Sequence, residues 1–295
     1  MTLIAQLDRD LTLIRAENPS PMTADGTNSY ILGATEVTVI DPGPDDPAHL
    51  AQLLDTIGPR RVTSILVTHS HMDHSPLAPR LSAATGAPIL AYGDSRAGRT
   101  AQMNALADRA DIGGGEGVDH GFKPHVSLQD GQSMPLGSEA VTALWTPGHM
   151  GNHMCFLWRD HLFTGDHVMG WAPSLVSPPD GDMGSYMRSL AQLQGVEARL
   201  FHPGHGAIIE QPRARLAELV AHRRAREDAI LRELDQGRAD IATLVTKIYN
   251  ATPSALHKAA ARNVFAHLAD LHARAEVTAT PELCPRAIFT RMSAR

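Results

Sequence analysis

Cysteine is almost missing from this chain: its 295 residues include two, Cys155 and Cys284, far apart and outside any C-x-x-C pattern. That scarcity excludes a disulfide framework and a thiolate zinc site, so any metal must be held by imidazole and carboxylate. Long apolar runs are missing too. No stretch approaches the ~18 apolar residues of a membrane span, and the opening MTLIAQLDRDLTLIRAENPSP lacks a basic start, an apolar stretch and a small-residue cleavage site. The expectation is a cytoplasmic protein with no membrane contact. No internal repeat or low-complexity tract occurs. With 43% hydrophobic and 20% charged residues, the chain has the composition of a globular protein able to bury a full core, in one large domain or two.

What is present divides unevenly. Residues 1–212 carry 12 Lys/Arg against 23 Asp/Glu, whereas residues 213–295 carry 14 against 9. The acidic first part argues mildly against a polyanionic substrate, and the basic tail mildly for one. The style of sequence changes at the same place. Up to about residue 212, short apolar strands alternate with Gly, Pro and Asp clusters: Leu11 to Arg15, Ser29 to Leu32, Glu36 to Ile40, Val62 to Thr68, Pro88 to Tyr92, Ala140 to Trp145, Met154 to Trp158 and His161 to Phe163. Helices are expected over Pro47 to Ile57 and Pro76 to Thr85, the second with Pro76 in its first turn. The mixture is α/β or α+β. Segment 93–130 shows no clear period and reads as an insertion or a loop over a site.

From residue 213 the period becomes helical. Ile241, Leu244, Val245, Ile248 and Tyr249 form one stripe; Leu256, Ala260, Val264, Leu268 and Leu271 form a second, with Ser254 placed to cap its start. Glu276 to Thr280 and Ala287 to Arg291 can pair as a hairpin. Three helices and a two-stranded wing, joined through a long Arg213 to Gln236 helix, describe a small winged-helix-like domain. The expected division is therefore 1–212 and 213–295.

The stretch that carries chemistry is SILVTHSHMDH, residues 64–74, where an apolar strand runs into four candidate ligands within six positions. Residues i and i+2 project to the same side of an extended segment, so His69 and His71 can reach one ion; after the chain turns, Asp73 and His74 are presented from another angle and suit a second. Two ions about 3.5–4 Å apart can share a hydroxide and clamp the oxygens of a reacting ester or phosphate. Four ligands cannot fill two tetrahedral shells. Candidates for the remainder follow strand-like runs or sit in Gly-rich turns: His149 in Thr-Pro-Gly-His, Asp166 in Thr-Gly-Asp and His205 in Pro-Gly-His-Gly.

With its H-x-H-x-D-H run at His69, His71, Asp73 and His74, and later ligands in matching order, the chain resembles the metallo-beta-lactamase superfamily over roughly residues 10–210. The resemblance implies a four-layer αββα sandwich of the α+β class, with the metals at the edge where two sheets meet. It also implies His69, His71 and His149 at one metal, Asp73, His74 and His205 at the other, and Asp166 bridging them. An aspartate after Thr-Gly is similar to the hydroxyacylglutathione hydrolase, lactonase and ribonuclease branches, rather than to exported zinc beta-lactamases. The C-terminal helices resemble the winged-helix extension of a beta-lactamase-like subgroup whose animal relatives include a single-strand endoribonuclease. Two departures stand out. Ser75-Pro76-Leu77 replaces the usual small-Gly-Gly after Asp-His, and no basic glutathione-binding pattern is present, which argues against glutathione thioesters as the natural substrate.

Two divalent ions are therefore expected, with zinc the first choice; histidine and carboxylate ligation also tolerates manganese, iron or cobalt. Asp73 is the candidate catalytic group, orienting the nucleophile. Asp41, in Ile-Asp-Pro-Gly, resembles a family position that supports the ligands from behind; His167, next to Asp166, is a candidate for the same role, while Trp171 and Tyr186 are candidates to wall a substrate pocket. Arg223, Arg224 and Arg226 read as a solvated helix face. The expected function is hydrolysis of a small ester, thioester or lactone. The first alternative is a metal-dependent endoribonuclease on single-stranded RNA; a DNA-binding regulator is disfavoured, because the third helix offers only Lys258 and Arg262 as strong contacts. A homo-oligomer is compatible with all of these.

Overall fold

The computed structural model describes residues 3–109, 112–115, 117–251, 253 and 256–292. The chain opens with a strand meander, β1 (Ile4–Asp8), β2 (Leu11–Arg15), β3 (Asn28–Leu32) and β4 (Glu36–Ile40). It then alternates α1 (Pro47–Ile57), β5 (Arg61–Leu66), α2 (Ala78–Thr85), β6 (Ile89–Ala91), α3 (Ala101–Ala107) and β7 (Val126–Ser127). These seven strands form one sheet in sequence order. A second sheet holds β8 (Ser133–Leu136), β9 (Glu139–Trp145), β10 (Met154–Trp158), β11 (His161–Gly165) and β12 (Leu200–Pro203), with α4 (Met183–Gln194) between the last two. β12 lies parallel to β11, so a crossover through α4 is required, and that helix covers the sheet's outer face.

Strand alternation explains the layering. In β2 to β4, Leu11, Leu13, Tyr30, Leu32 and Ile40 point inward and meet Val141, Ala143, Phe156, Trp158 and Phe163 of the second sheet. Their neighbours Ile14, Ile31, Val37 and Val39 point outward and are covered by Leu53 and Ile57 of α1 and Leu81 of α2. On the far side, Cys155, Leu162 and Phe201 pack on Tyr186, Leu190 and Leu193 of α4 and on Leu216 and Leu219 of α5 (Pro212–Asp235). The result is the αββα sandwich, a period-2 pattern buried on both faces.

Beyond α5 come α6 (Ile241–Ile248), α7 (His257–Ala273) and an antiparallel hairpin of β13 (Val277–Thr280) and β14 (Ile288–Arg291). Ile241, Leu244 and Val245 of one stripe and Val264, Leu268 and Leu271 of the other share a core with Phe289, as the winged-helix reading requires. That core also includes Met103 and Leu106 of α3. The helix inside the unpatterned 93–130 segment is short, and its two buried residues pack in a core shared with the distant C-terminal helices, which is why no local period announced it. Ser254, expected as a cap, lies outside the described residues. α2 starts at Ala78, later than expected, because Ser75 and Leu77 are used in the turn that follows the ligands: Ser75 N donates to His71 O and Leu77 N to Gly43 O. Among the described residues no helix is long and apolar enough to cross a membrane.

Several histidines away from the candidate site are buried in neutral form. Burial pushes His202 and His267 down to about 3 and His49 down to about 4. An unfolded histidine titrates near 6.5, so these groups contribute stability that is fully present above that pH and is lost as pH falls towards 3 or 4. Each contributes a slope of up to about 1.4 kcal/mol per pH unit. Urea midpoints of the chelator-treated protein are expected to drop steadily between pH 6.5 and 4.5, less steeply in His267→Leu. Midpoints that stay level over that interval would exclude the assignment.

Candidate metal centre

All seven expected ligands come from loops at one end of the sandwich. His69, His71, Asp73 and His74 follow β5, His149 follows β9, Asp166 follows β11 and His205 follows β12. Strand ends give rigid mounts, and the shared edge of the two sheets brings the loops together. The side chains fall into two groups, His69, His71, His149 and Asp166, and Asp73, His74 and His205, each with ligand atoms within 4.8 Å of one another. Asp166 faces both: Oδ1 lies 3.4 Å from His74 Nε2 and 3.3 Å from His205 Nε2, and Oδ2 lies 3.8 Å from His149 Nε2.

Outer hydrogen bonds decide which imidazole nitrogen is bare. His149 Nδ1–H donates to Leu175 O at 2.7 Å, His205 Nδ1–H to Gly26 O at 3.2 Å and His74 Nδ1–H to Asp41 Oδ2 at 2.9 Å. Thr68 Oγ1 donates to Asp41 Oδ2, so its lone pair accepts from His69 Nδ1–H at 3.0 Å. In each case Nε2 is left facing inward. His71 Nδ1 then sits 2.9 Å from His69 Nε2 and 3.1 Å from His149 Nε2. These three nitrogens converge on one point, and His74 Nε2 and Asp166 Oδ1 are buried without a hydrogen-bond partner. The donor set fits divalent metal, with imidazole and carboxylate alone.

Titration follows the same division. Burial, reinforced by neighbouring imidazoles, holds His69 well below the ordinary histidine value, and His71 goes down to about 3; burial lowers His149 as well, although Asp166 pulls the other way. In all three the shift favours the neutral, metal-binding form. Burial would lower His74 and His205 too, but Asp73, Asp166 and Asp41 raise His74 well above its usual value, and Asp166 with Asp73 brings His205 up to about 9. Burial would raise both carboxyls, yet His74 and His205 hold Asp73 and Asp166 below the usual carboxylate range. Without metal, His205 thus carries a proton at pH 7 that a ligated metal must displace. Calorimetric zinc titrations at pH 7 in two buffers of different ionisation enthalpy should therefore show at least one proton released per protein. Heats independent of the buffer would contradict this protonation pattern.

The supporting positions separate. Asp41 is 2% exposed, has φ of +50°, and accepts hydrogen bonds from Thr68 N, Thr68 Oγ1 and His74 Nδ1. A non-glycine residue kept in the left-handed region is over-determined by such contacts. His167 does not do the same: both of its nitrogens are buried without partners, and it packs between His153 and Tyr186 instead of bonding a ligand. Tyr186 walls no pocket. It is fully buried and its hydroxyl donates to His167 O, because α4 turns this face onto the second sheet. Trp171 is 46% exposed and lies against Gly206, next to His205. Of the arginine cluster, Arg223 is 2% exposed and not solvated. Sequence reasoning missed Thr68, whose hydroxyl links Asp41 to His69. The only available signal was its place one residue before His69.

Glycine allows the closest approaches. A Cβ on Gly204 would stand 2.6 Å from Asp166 Oδ1 and 2.7 Å from His74 Cε1, so only glycine leaves room for the strand end beside the two groups. The 117–119 loop lines the other side: Met72 N donates to Gly117 O and Asp119 N to Ser70 O, while Ser75 Oγ donates to Asp119 Oδ2. Ser75 thus anchors the turn by side-chain hydrogen bonding. The open side lies towards Asp73, whose side chain is 24% exposed, against 0% for His74.

Fold and site together define a class: a four-layer α+β sandwich with a histidine and aspartate cage, able to hold metal, at the edge of its two sheets. Residues 22–205 match the family described as Metallo-beta-lactamase superfamily, and residues 241–282 match the Beta-lactamase associated winged helix domain. The chain belongs to the metallo-beta-lactamase superfamily and carries that winged helix domain. It is 28% identical to the lactamase-like protein aptB of Emericella nidulans over 81% of this chain and 70% of that one. It is 30% identical to the atrochrysone carboxyl ACP thioesterase of Aspergillus fumigatus over 80% of this chain and 72% of that one. Among solved structures, a metallo-beta-lactamase family protein from Thermus thermophilus superposes with a TM-score of 0.76 at 26% identity, covering 97% of this chain and 100% of that one.

Proposed function

We propose that the protein is a hydrolase with two metal ions, zinc the first choice, acting on a small ester, thioester or lactone. The observation that carries the proposal is the convergence of seven ligand side chains in two groups, with Asp166 facing both. His69, His71 and His149 would hold one ion, Asp73, His74 and His205 the other, and Asp166 both. A bound pair supplies water acidic enough to act as a nucleophile at neutral pH, together with positive charge for the oxygen that becomes negative in the transition state. The chain's own groups do the rest. Asp73, on the open side and held by Thr27 Oγ1 at 3.4 Å, orients the nucleophile and accepts its proton. Asp41, through His74 and Thr68, keeps the ligand turn in place.

A thioester is favoured among the three because one relative is named a thioesterase, and because the rim offers apolar surface. Met72, between two ligands, is 51% exposed and Trp171 is 46% exposed, a suitable pair of walls for an acyl chain. Arg262, one of the two cations that the third helix offers to nucleic acid, donates to Ile112 O at 2.8 Å. We further propose that the chain divides near residue 212, with a catalytic part of residues 1–212 and a helical part of residues 213–295. The test is a metal-defined panel of acyl thioesters, lactones, aryl esters, phosphodiesters and single-stranded RNA. Turnover of acyl thioesters that is abolished by chelator, restored by zinc and nearly insensitive to salt is the expected result. Cleavage confined to RNA, falling steeply with salt, would replace this reading with the nuclease one.

A further inference from the structure

Arg223 breaks the pattern of its neighbours. It lies on α5, is 2% exposed, and its guanidinium stands 5.1 Å from the centre of the Tyr186 ring. A buried guanidinium needs partners, and two are found. Nη2 donates to Ser174 O and Nη1 donates to Asn263 Oδ1 at 3.0 Å. Asn263 belongs to α7, within the winged helix match, and the same Oδ1 accepts from Val176 N at 3.3 Å. Its Nδ2 donates to Ala259 O at 3.2 Å, which fixes the amide orientation.

The residue between Ser174 and Val176 is Leu175, whose carbonyl accepts from His149 Nδ1 at 2.7 Å; Ser174 Oγ lies 3.2 Å from the same nitrogen. Three consecutive residues are thus tied in series. Ser174 O is held from α5, Val176 N is held from α7, and the carbonyl between them selects the tautomer and aim of His149. No regular secondary structure supports residues 172–177. What holds them is the C-terminal helices, with Arg215 of α5 adding a hydrogen bond to Ala172 O at 2.9 Å.

We propose that Arg223 and Asn263 are positioning residues through which the C-terminal helices aim His149 and so set metal retention in the His69, His71 and His149 group. The inference rests on the two-metal reading above. Loss of the clamp frees the Leu175 carbonyl to rotate away, and His149 then loses its fixed tautomer. Partners of this kind, hydrogen-bonded behind a ligand, set metal affinity by about tenfold to a hundredfold. The Asp73, His74 and His205 group takes its outer hydrogen bonds from Asp41 and Gly26 and is untouched by the change.

The experiment is a cobalt(II) titration of the full chain, read by visible absorption and by equilibrium metal content, for wild type, Asn263→Ala, Asn263→Asp and Arg223→Lys. Asn263→Ala should weaken one of the two bound ions about tenfold or more and leave the other unchanged, reproducing in milder form the spectrum of His149→Ala. Asn263→Asp keeps an acceptor for both Val176 N and Arg223, so it should restore wild-type titration, which a merely space-filling role for Asn263 would not require. Arg223→Lys, unable to reach both partners, should fall between. Two ions bound by Asn263→Ala with wild-type affinity and spectrum would overturn the clamp and leave the two-metal reading intact. A wild type that binds no cobalt would overturn both. Alanine is the better helix former at position 263, and thermal unfolding of each variant checks that the fold is kept.

Discussion

Asp166→Ala is expected to lower turnover by a factor on the order of 10² to 10³ and to take metal with it, leaving one ion or none in place of the proposed two. The size of the effect follows from position. Among the described residues Asp166 is the carboxylate that faces both groups, 3.3 Å from His205 Nε2 through one oxygen and 3.8 Å from His149 Nε2 through the other. Removing it leaves His74 Nε2 without one of its two facing carboxylates and takes away negative charge that would offset the proposed cations. Metal content by elemental analysis and initial rates on the best substrate of the panel should fall together. An alanine variant that kept two ions and full turnover would refute the bridging assignment. Asp166→Asn separates charge from shape, and should retain the fold while losing most of the metal.

Gly148→Ala is expected to cost stability and the site at once, on the order of 3 kcal/mol or more. Gly148 has φ of +146°, and a Cβ there would stand 2.3 Å from Tyr186 Cα and 2.5 Å from Tyr186 N. The obstacle is backbone at the start of α4, so no side-chain rotation relieves it. Either the helix moves off the second sheet or the 147–149 turn moves, and His149 is the next residue. Urea unfolding should show a lower midpoint with unchanged slope, and the metal-loaded variant should bind one ion more weakly. A variant with wild-type midpoint would mean that the turn relaxes without strain, against the close approach seen here.

The layers were legible because alternation is local. Leu11, Leu13 and Ile14, or Tyr30, Ile31 and Leu32, announce two buried faces within three or four residues, and strand ends were placed within a residue or two for β2, β4 and β10. The stripes of α6 and α7 were equally plain. What escaped was support without pattern. α3 and β12 are too short to show a period, and α4 has its apolar side chains interrupted by Ser185 and Ser189, both buried by tertiary contact. Tyr186 was misplaced for the same reason: an aromatic near a ligand loop carries no mark that says whether it faces a pocket or a core.

By itself the sequence determined the chemistry on offer: donors without sulfur, their order along the chain, and the strand ends and glycines that mount them, because spacing and residue type are properties of the chain. Only the tertiary structure decided which nitrogen of each histidine faces inward, that one aspartate faces both groups, and that Arg223 and Asn263 stand behind His149. These are set by atoms far apart in sequence, several of them backbone carbonyls such as Leu175 O and Gly26 O. Every residue has a backbone carbonyl, so no residue code distinguishes the one that aims a ligand from the rest.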